Sequence, residues 1–352
     1  MCGATGVTKH LHFRLRALKA LPIEFVRRFS HVGMQNSDRL VTLIGGSGFI
    51  GRHLVRSLAK RGYRIRVACR RPDLAGHVVP LGTPGQIVPV QANVRYPASL
   101  AAACDGAYAV VNLTGLLHNA GAQTFDAVHV FGAEAVAKSA KAAKAQVLVH
   151  LSAIGADMNS ASTYAQTKAE GEAKAKAAFT GVSIIRPSVV FGPEDGFFNR
   201  FAAMARFLPV LPLIGGETKF QPVFVGDVAE VIATLIERGV ADGKTYELGG
   251  PEVKSFKDLL NYVLEVTMRK RVLLPLPFPV ASLMGTLAGI LPKPALTSDQ
   301  VELLKHDNIV SSGAEAEGRT LKGLGIAARS IEGVVPGYLY RFRKAGQFTV
   351  KA

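Results

Sequence analysis

One stretch near the start of the chain, Leu43 to Leu54 (LIGGSGFIGRHL), constrains the fold more than any other part of the sequence. The apolar run RLVTLIG leads into spaced glycines, and a segment with helical periodicity, FIGRHLVRSLAKRG, continues to Gly62. Glycines let a strand turn tightly into a helix, and the free N–H groups and the dipole at the start of that helix favour a phosphate. The stretch therefore predicts a strand, a phosphate-binding turn and a helix, which together open a dinucleotide-binding βαβ unit.

Beyond this unit, strand-like and helix-like segments keep alternating, which predicts a Rossmann-type, doubly wound parallel sheet of the α/β class. The expected strands are YRIRVACR, GQIVPVQANV, YAVVNLTG, AQVLVHLSAIGA and VSIIRPSVVFG, and the expected helices are ASLAAACDG, about 125–143 and YAQTKAEGEAKAKAAF. We assign 39–190 to a Rossmann domain, to which about 221–250, with the strand-like KTYELGG, returns. The remaining 191–220 and 251–348 form a smaller C-terminal α/β region over the strand ends, where ligands of such sheets bind.

Residues 1–38 differ from the rest of the chain because they are basic, poor in acids and without a long apolar run. Such a segment contains neither a signal-peptide core nor a membrane span. It is typical of a mitochondrial transit peptide, and the alternative is a start codon assigned too early, with Met34 as the true first residue. In either case we expect this extension to lie outside the fold.

The charge balance indicates what kinds of partner the surface suits. The chain has 42 Lys and Arg against 26 Asp and Glu, a formal net charge of +16 at pH 7. This excess is either a solvated basic surface or a site for nucleic acid, anionic lipid or an acidic protein. No RNP, helix-turn-helix or zinc-finger pattern occurs, so we expect no nucleic-acid partner. The three cysteines are far apart and the nine histidines scattered, so we expect neither a disulfide framework nor a metal site.

An uncharged stretch, Val272 to Pro292 (VLLPLPFPVASLMGTLAGILP), has a length that suggests a membrane span. Prolines interrupt its first third and leave Val280 to Leu291 as helix, which at ~1.5 Å per residue is too short to cross ~30 Å of hydrocarbon. We expect a core helix by default. The alternative is an apolar patch for a partner or for anionic lipid, which the basic residues flanking the stretch favour.

The end of the second strand indicates which dinucleotide the glycine turn binds. An NAD site normally has Asp or Glu there, about 20 residues past the turn, for the ribose 2′-OH. This chain has Arg70 and Arg71, which are either solvated or placed to pair with a 2′-phosphate, and they favour NADP(H). The residues expected to contact the cofactor are Gly45, Gly46, Ser47, Gly48, Phe49, Ile50, Gly51, Arg70, Arg71, Asn93, Val94, Leu113, Thr114, Gly115, Tyr164, Lys168 and Pro187.

The segment YAQTK places Tyr164 and Lys168 one helical turn apart on one face. A nearby lysine lowers the pKa of a tyrosine and can hold the nicotinamide ribose, and the tyrosine can then exchange a proton with a substrate oxygen. Ser152, at the end of the preceding strand, can orient that oxygen. These three residues are therefore the catalytic candidates, with the alternative that they only hold the cofactor.

These features together resemble the short-chain dehydrogenase/reductase superfamily in its extended or atypical form, from about Arg39 to Phe348. Two further segments, RPSVVFGPEDGFFNRFAAMARFLPVLPLIGGETKFQPVFVGDVA and LTSDQVELLKHDN, are similar to the alpha-subcomplex subunit nine family of respiratory complex I, and especially to its alphaproteobacterial members. That resemblance implies a Rossmann domain with tightly held NADPH and no turnover of its own. It also implies that the glycine turn, Arg70 or Arg71, Tyr164 and Lys168 are cofactor ligands.

Two functions of different class remain open on the sequence. The first is a peripheral accessory or assembly subunit of complex I, near the membrane surface, with NADP(H) as a structural ligand. Its expected location is the cytoplasmic side of a bacterial inner membrane, or alternatively the mitochondrial matrix. The second is a free-standing NADP-dependent reductase or sugar-nucleotide-type epimerase or dehydratase that uses Tyr164 and Lys168. A redox-sensing regulator that binds NADP(H) is a third reading.

Overall fold

The computed structural model of the chain describes residues 35–239, 241–288 and 296–344. Its centre is a seven-stranded parallel sheet. In chain order the strands of this sheet are β1 (Leu40–Ile44), β2 (Arg64–Cys69), β3 (Ile87–Gln91), β4 (Ala109–Asn112), β5 (Val147–Leu151), β6 (Ser183–Pro187) and β11 (Thr245–Leu248). Their spatial order is β3-β2-β1-β4-β5-β6-β11, so the chain reverses its direction of progression between β1 and β4, where a parallel sheet forms its ligand crevice.

Helices cover both faces of this sheet, which confirms the predicted doubly wound α/β class. One face packs against α1 (Phe49–Lys60) and α6 (Val225–Arg238). The other face packs against α2 (Pro97–Cys104), α3 (Phe131–Ala142) and α4 (Thr163–Ala178). The central strands β1, β4 and β5 are buried on both sides and read as near-continuous apolar runs, as parallel strands do, whereas the edge strand β3 is partly exposed.

The segment predicted as a helix at about 125–143 is not regular throughout. Residues Asp126–Val130 form a π-turn, and the α-helix begins only at Phe131. The wider turn contains the buried side chain of His129, which faces the end of β4 and accepts a hydrogen bond from the Leu116 N–H at 2.9 Å. Turns of this kind inside helices frequently occur at functional sites.

The C-terminal elements that the structure describes are small and lie beside the carboxyl ends of the central strands. Three two-stranded sheets pair β7 (Val190–Phe191) with β10 (Val223–Phe224), β8 (Val210–Ile214) with β13 (Val272–Leu276), and β9 (Lys219–Phe220) with β12 (Lys254–Ser255). The helices are α5 (Phe198–Phe207), α7 (Phe256–Val266), α8 (Phe278–Ala288), α9 (Ser298–Leu303), α10 (Ser312–Ala316), α11 (Ile331–Val334) and α12 (Pro336–Leu339). A phenylalanine-rich core cluster holds this region together.

The uncharged stretch from Val272 is not the core helix that was the default expectation. Its first residues form β13, which pairs with β8 despite Pro275, since an edge strand tolerates a residue without an N–H. Helix α8 then begins at Phe278 and buries only Ala281 and Gly285. Most of its apolar side chains are exposed, so the alternative expectation of an apolar patch is the correct one as far as Ala288.

The remaining expectations about the chain ends and the stretch beyond Ala288 fall outside the described residues. These are the first part of the basic extension, 1–34, the end of the uncharged stretch, 289–292, and 345–348. Within the parts that are described, none of the helices combines the length and the apolarity needed to cross a bilayer.

Candidate nucleotide-binding and active site

The glycine turn has the geometry of a phosphate-binding turn. Gly45 follows β1 with a φ of +81°, a conformation that glycine adopts without strain. A Cβ on Gly51 would lie 2.3 Å from the Gly46 carbonyl oxygen, so only glycine lets α1 pack this closely on the turn. Gly48 is the N-cap of α1, and a Cβ there would meet only the Gly45 oxygen, at 3.3 Å. The space in front of Gly48 and the first N–H groups of α1 is therefore free for a ligand.

The predicted turn residues divide into two groups. Those that line the cavity at the end of the sheet are Gly45, Gly48, Phe49, Ile50 and Gly51. Gly46 instead packs against Leu43, and the Ser47 carbonyl accepts a hydrogen bond from His77 Nε2 at 3.2 Å. Of the turn, Gly46 and Ser47 therefore support the loop and do not face the cavity.

The arginines at the end of β2 are not equivalent. Arg71 forms an ion pair with Asp73, with Nε 2.9 Å from Oδ1 and Nη2 2.6 Å from Oδ2, and this pair raises the pKa of Arg71. Arg70 is exposed and forms no hydrogen bond or ion pair with any described residue. Neither side chain lines the cavity, so contact of Arg70 or Arg71 with the cofactor stays a prediction.

The ends of β3 and β4 differ, because Asn93 and Val94 do not line the cavity and the segment after β4 does. After β3, Asn93 is partly buried and its Oδ1 accepts a hydrogen bond from the Arg95 N–H, while Val94 packs into the core with its side chain turned away from solvent. After β4, the chain segment Leu113–Gly115 lines the cavity. A Cβ on Gly115 would lie 3.4 Å from Lys168 Nζ, so the chain passes close to that ammonium group.

The three catalytic candidates lie on neighbouring elements and line one cavity. Ser152 follows β5, and its buried hydroxyl has no hydrogen-bond partner among the described residues. Tyr164 and Lys168 lie on α4, and Lys168 Nζ donates a hydrogen bond to the Leu151 carbonyl at 3.2 Å. Pro187, the last residue of β6, forms the adjoining wall. An unpartnered buried hydroxyl beside a lysine and a tyrosine is a polar set that a ligand oxygen can satisfy.

The protonation states of the pair follow from burial. Burial raises the pKa of Tyr164 to about 12, and the carboxylate of Asp299 adds to the rise. Burial lowers the pKa of Lys168 to about 8, with Glu172 opposing the change. At neutral pH the phenol is therefore protonated and can donate a proton, whereas the amine holds its proton less firmly than an exposed lysine does.

Two buried histidines, His129 and His150, pack next to the elements that carry Tyr164 and the loop after β4. His129 stacks on Phe125, lies edge-on to the ring of Tyr164, and places Nδ1 3.1 Å from Thr167 Oγ1. His150 Nδ1 lies 3.1 Å from the amide nitrogen of Asn112, a donor that requires the unprotonated ring nitrogen. Burial, and then the charge of Lys168, lower the pKa of both imidazoles to about 3. Both are therefore neutral, and they position the tyrosine and the β4 loop.

The sequence reasoning did not identify Asp299 of α9, which holds the start of α4. Its Oδ1 accepts from the Thr163 N–H at 2.7 Å, and its Oδ2 accepts from the Ser162 hydroxyl at 3.0 Å and from the Tyr164 N–H at 3.3 Å. A carboxylate at a helix N-terminus satisfies free N–H groups and interacts well with the helix dipole. The C-terminal region thus fixes the first turn of the helix that carries the Tyr–Lys pair.

Asn308, nine positions further along the same LTSDQVELLKHDN segment, was also missed. Its Oδ1 lies 2.7 Å from Ser188 Oγ, and its Nδ2 donates to the Ile154 carbonyl at 3.3 Å. Ile154 follows β5 and Ser188 follows β6, so Asn308 joins the C-terminal region to the ends of two central strands. The only signal for either residue was the similarity of the whole segment to a family.

The cavity that these elements enclose measures about 1200 Å³. It runs from the glycine turn past Lys168 and Tyr164 to the phenylalanine-rich region, and ligand sites of ~300–1,000 Å³ suffice for most small molecules. Three observations support a dinucleotide in the part of the cavity nearest the glycine turn. They are the open space at Gly48, the close approach of Gly115 to Lys168, and the unpartnered hydroxyl of Ser152. Such a site can bind a nucleotide without reaction, or Tyr164 can donate a proton to a ligand oxygen that Ser152 holds.

Comparisons with known proteins agree with this geometry. The sequence profile of the NAD dependent epimerase/dehydratase family matches residues 41–249. The chain is 32% identical to NADH dehydrogenase (ubiquinone) 1 alpha subcomplex subunit 9, mitochondrial, of Arabidopsis thaliana, over 88% of this chain and 79% of that protein. It is 33% identical to a ceramide reductase of Caulobacter vibrioides over 54% of this chain and 58% of that protein.

Among solved structures, the NADPH-dependent quinone oxidoreductase of Escherichia coli complexed with NADPH has the same fold. It superposes with a TM-score of 0.68 at 19% identity, over 85% of this chain and 99% of that chain. The family match covers the whole nucleotide side of the cavity, from β1 to the end of β11. This chain therefore belongs to the NAD dependent epimerase/dehydratase family, and within it the chain is a homologue of the alpha subcomplex subunit 9 proteins of complex I.

Proposed function

We propose that this protein is an accessory subunit of respiratory complex I that holds NADP(H) as a structural ligand. The observation that carries the proposal is the extent of the similarity to a complex I subunit, which covers 88% of this chain and so includes much of the C-terminal region. That region contributes Asp299 and Asn308, whose hydrogen bonds reach α4 and the ends of β5 and β6. A match of this length extends beyond residues 41–249, which membership of the epimerase/dehydratase family alone would explain.

Arg70 supports NADP(H) over NAD(H). It is the unpaired guanidinium at the end of β2 within the described chain, and the carboxylate nearby, Asp73, is engaged by Arg71. A guanidinium can pair bidentately with a 2′-phosphate, and an unscreened carboxylate would repel it. A ligand that binds only the folded state stabilises it by RT ln(1 + [L]/Kd), or ~4 kcal/mol at a thousandfold excess over Kd, which is what a structural cofactor supplies.

An exposed apolar face supports assembly with other subunits at a membrane surface. We define the apolar face by the exposed side chains of the β8–β13 ribbon with its preceding turn and of α8, which are Phe207, Leu208, Val210, Val272, Leu274, Val280, Leu283 and Leu287. Phe207 is 77% exposed and Leu283 63%, values unusual for side chains of this size. Exposed apolar side chains grouped in this way mark a surface for a partner protein or for lipid.

A basic cluster lies at one end of the apolar face. Arg271 Nε donates to the Ala205 carbonyl at 2.9 Å, and burial together with the charges of Arg271 and Arg206 lowers the pKa of Arg269. Positive charge beside apolar side chains matches an anionic lipid surface. In this proposal the protein lies on the cytoplasmic side of a bacterial inner membrane, and the matrix side of the mitochondrial membrane is the corresponding alternative.

The test is native electrophoresis of membranes from a strain with a tagged copy of this chain. We expect the tag to migrate with NADH:quinone activity. Replacing Leu283 and Leu287 together by Glu should release the protein from that band, because two charges cannot be buried in an apolar interface without partners. The matched control is Val88→Glu, an exposed valine on the edge strand β3. A tag that migrates alone in the unmodified strain contradicts the proposal.

A second candidate function is an NADP-dependent carbonyl reductase. The observation that favours it is the unpartnered Ser152 hydroxyl in the same cavity as a protonated Tyr164. The reduced nicotinamide would supply a hydride. Ser152 would donate a hydrogen bond to the carbonyl oxygen, Tyr164 would give that oxygen its proton, and Lys168 would hold the ribose. Steady oxidation of NADPH by the purified protein with a carbonyl compound, lost in Tyr164→Phe, would favour this function over the first.

A further inference from the structure

The cavity continues well beyond the nucleotide side, and its far wall has a different character. Four phenylalanines from α5, β9, α7 and the residue before α5 line it: Phe197, Phe201, Phe220 and Phe256. Their rings contact one another, with centroids 5.2 Å apart for Phe197 and Phe201 and 5.9 Å for Phe220 and Phe256. Together with Met204 they form an aromatic and thioether wall that offers a ligand surface but no hydrogen bonds.

Two polar side chains at this end are committed to other residues, whereas Arg200 and His306 also line the cavity and form no side-chain hydrogen bond or ion pair with a described residue. Asn308 has both side-chain atoms engaged, by Ser188 and by the Ile154 carbonyl, and Asp307 Oδ1 accepts from the Lys219 N–H at 2.8 Å. A sugar needs several free donors and acceptors to replace its hydration. The four phenylalanine rings and Met204 therefore suit an aliphatic chain, which needs no hydrogen bonds.

The far end of the cavity also reaches the apolar face. Met284 and Ala288 of α8 line the cavity, and Met284 is 48% exposed. On the same helix, Leu287 is 63% exposed and does not line the cavity. Helix α8 thus separates the cavity from the apolar face, and Met284 marks an apolar route between them.

We propose that the cavity holds a second ligand beside the nucleotide: a single-chain lipid, with its aliphatic chain along the phenylalanine wall and its oxygen-bearing end toward Ser152 and Tyr164. The free hydroxyl of Ser152 receives the polar end, and the chain replaces the water that the apolar wall cannot bind. The lipid enters past Met284 from the side of the apolar face. This ligand goes beyond complex I membership and does not depend on it.

The first test measures how affinity depends on chain length. The purified full chain is loaded with NADPH and with the fluorescent probe dansylaminoundecanoic acid, and straight-chain alcohols from octanol to hexadecanol compete for the probe. Each methylene that enters the cavity should tighten binding about fourfold, the factor that corresponds to ~0.8 kcal/mol per buried CH₂. The gain should stop when the cavity is full. Affinity that does not change with chain length overturns the proposal.

A matched pair of variants locates the site. Met284→Lys should weaken octanol-to-hexadecanol binding about tenfold or more, since it puts an unpaired charge at the cavity wall. Leu287→Lys, one turn away on the same helix, should leave the affinity within about twofold, because the side chain at this position faces solvent and does not line the cavity. Both positions are exposed, so both variants should fold, and thermal melting checks that they do. Equal weakening in the two variants would place the probe on the outer apolar face and overturn the cavity assignment.

Discussion

Asp299 offers the sharpest test of how the site is held, because one carboxylate braces the helix that carries both Tyr164 and Lys168. Replacing it by Ala removes three hydrogen bonds at the start of α4. Hydrogen bonds to a charged acceptor contribute ~1.5–3 kcal/mol each, but the loss of a helix cap as a whole costs ~0.5–2 kcal/mol. Ser162 still caps the helix through the Ala165 N–H, at 3.3 Å, so we expect a loss of ~2 kcal/mol in the free energy of unfolding.

The larger expected effect of Asp299→Ala is on the nucleotide. The first turn of α4 presents Tyr164 to the cavity, so fraying of that turn should speed nucleotide release by about tenfold, the factor for ~1.4 kcal/mol. The assay measures unfolding in urea and, separately, the rate at which fluorescent NADPH leaves the protein. The pKa of Tyr164 should also fall, because one of the two causes that raise it is removed.

The control for this variant is Asp258→Ala, which removes a cap carboxylate from a helix outside the nucleotide side. Asp258 closes a capping box with Ser255 at the start of α7. This variant should lose a similar amount of stability and keep its NADPH release rate. If both variants speed release equally, or if Asp299→Ala leaves release unchanged, the idea that the C-terminal region braces the nucleotide site is refuted.

Three further predictions concern cofactor choice, the glycine turn and pH. Arg70→Ser should weaken NADPH about tenfold or more and NADH little, as one charge-assisted hydrogen bond is worth ~1.5–3 kcal/mol; equal weakening in a titration would contradict the NADP(H) assignment. Gly51→Ala should lower the free energy of unfolding by ~1–3 kcal/mol, measured by circular dichroism in urea, because its Cβ would lie 2.3 Å from the Gly46 oxygen and the helix must shift. The pKa of His129 and of His150 is about 3 in the folded protein, whereas an exposed imidazole has a pKa of about 6.5. As the pH falls, both side chains are therefore protonated in the unfolded chain well before they are protonated in the folded protein. Stability should therefore fall as pH drops below ~6.5, by ~1.4 kcal/mol per pH unit for each imidazole, and His150→Gln should reduce that slope; a slope unchanged by the substitution would refute its cause.

The sequence was sufficient for the parts of the fold that local patterns encode. Alternating apolar runs and amphipathic segments predicted the parallel sheet with helices on both faces, and the spaced glycines predicted the turn after β1. The YxxxK spacing placed Tyr164 and Lys168 on one helix face, and the structure brings them into one cavity with Ser152. Each of these features depends on residues that are close in the chain or on a repeating unit.

The parts that the sequence did not provide depend on contacts between distant residues. Asp299 lies 135 positions after Tyr164, and no periodicity links a carboxylate in one region to a helix end in another. The sequence did not show which of Arg70 and Arg71 is available to a ligand. In the structure Arg71 pairs with Asp73, and Arg70 has no partner among the described residues. The uncharged stretch from Val272 was compatible with a core helix or an exposed patch for a similar reason. Whether an apolar segment is buried depends on which distant elements pack against it.

Nucleotide content and complex assembly, measured together in two variants, test the central claim most directly. Gly48→Val should fill the space of the phosphate with a branched side chain, whereas Tyr164→Phe removes only a hydroxyl. In native membranes, the unmodified protein and Tyr164→Phe should both carry bound NADP(H) and migrate with active complex I, while Gly48→Val should lose the nucleotide and impair assembly. A Gly48→Val protein that has lost its nucleotide and still migrates with fully active complex I would contradict the structural role of the nucleotide.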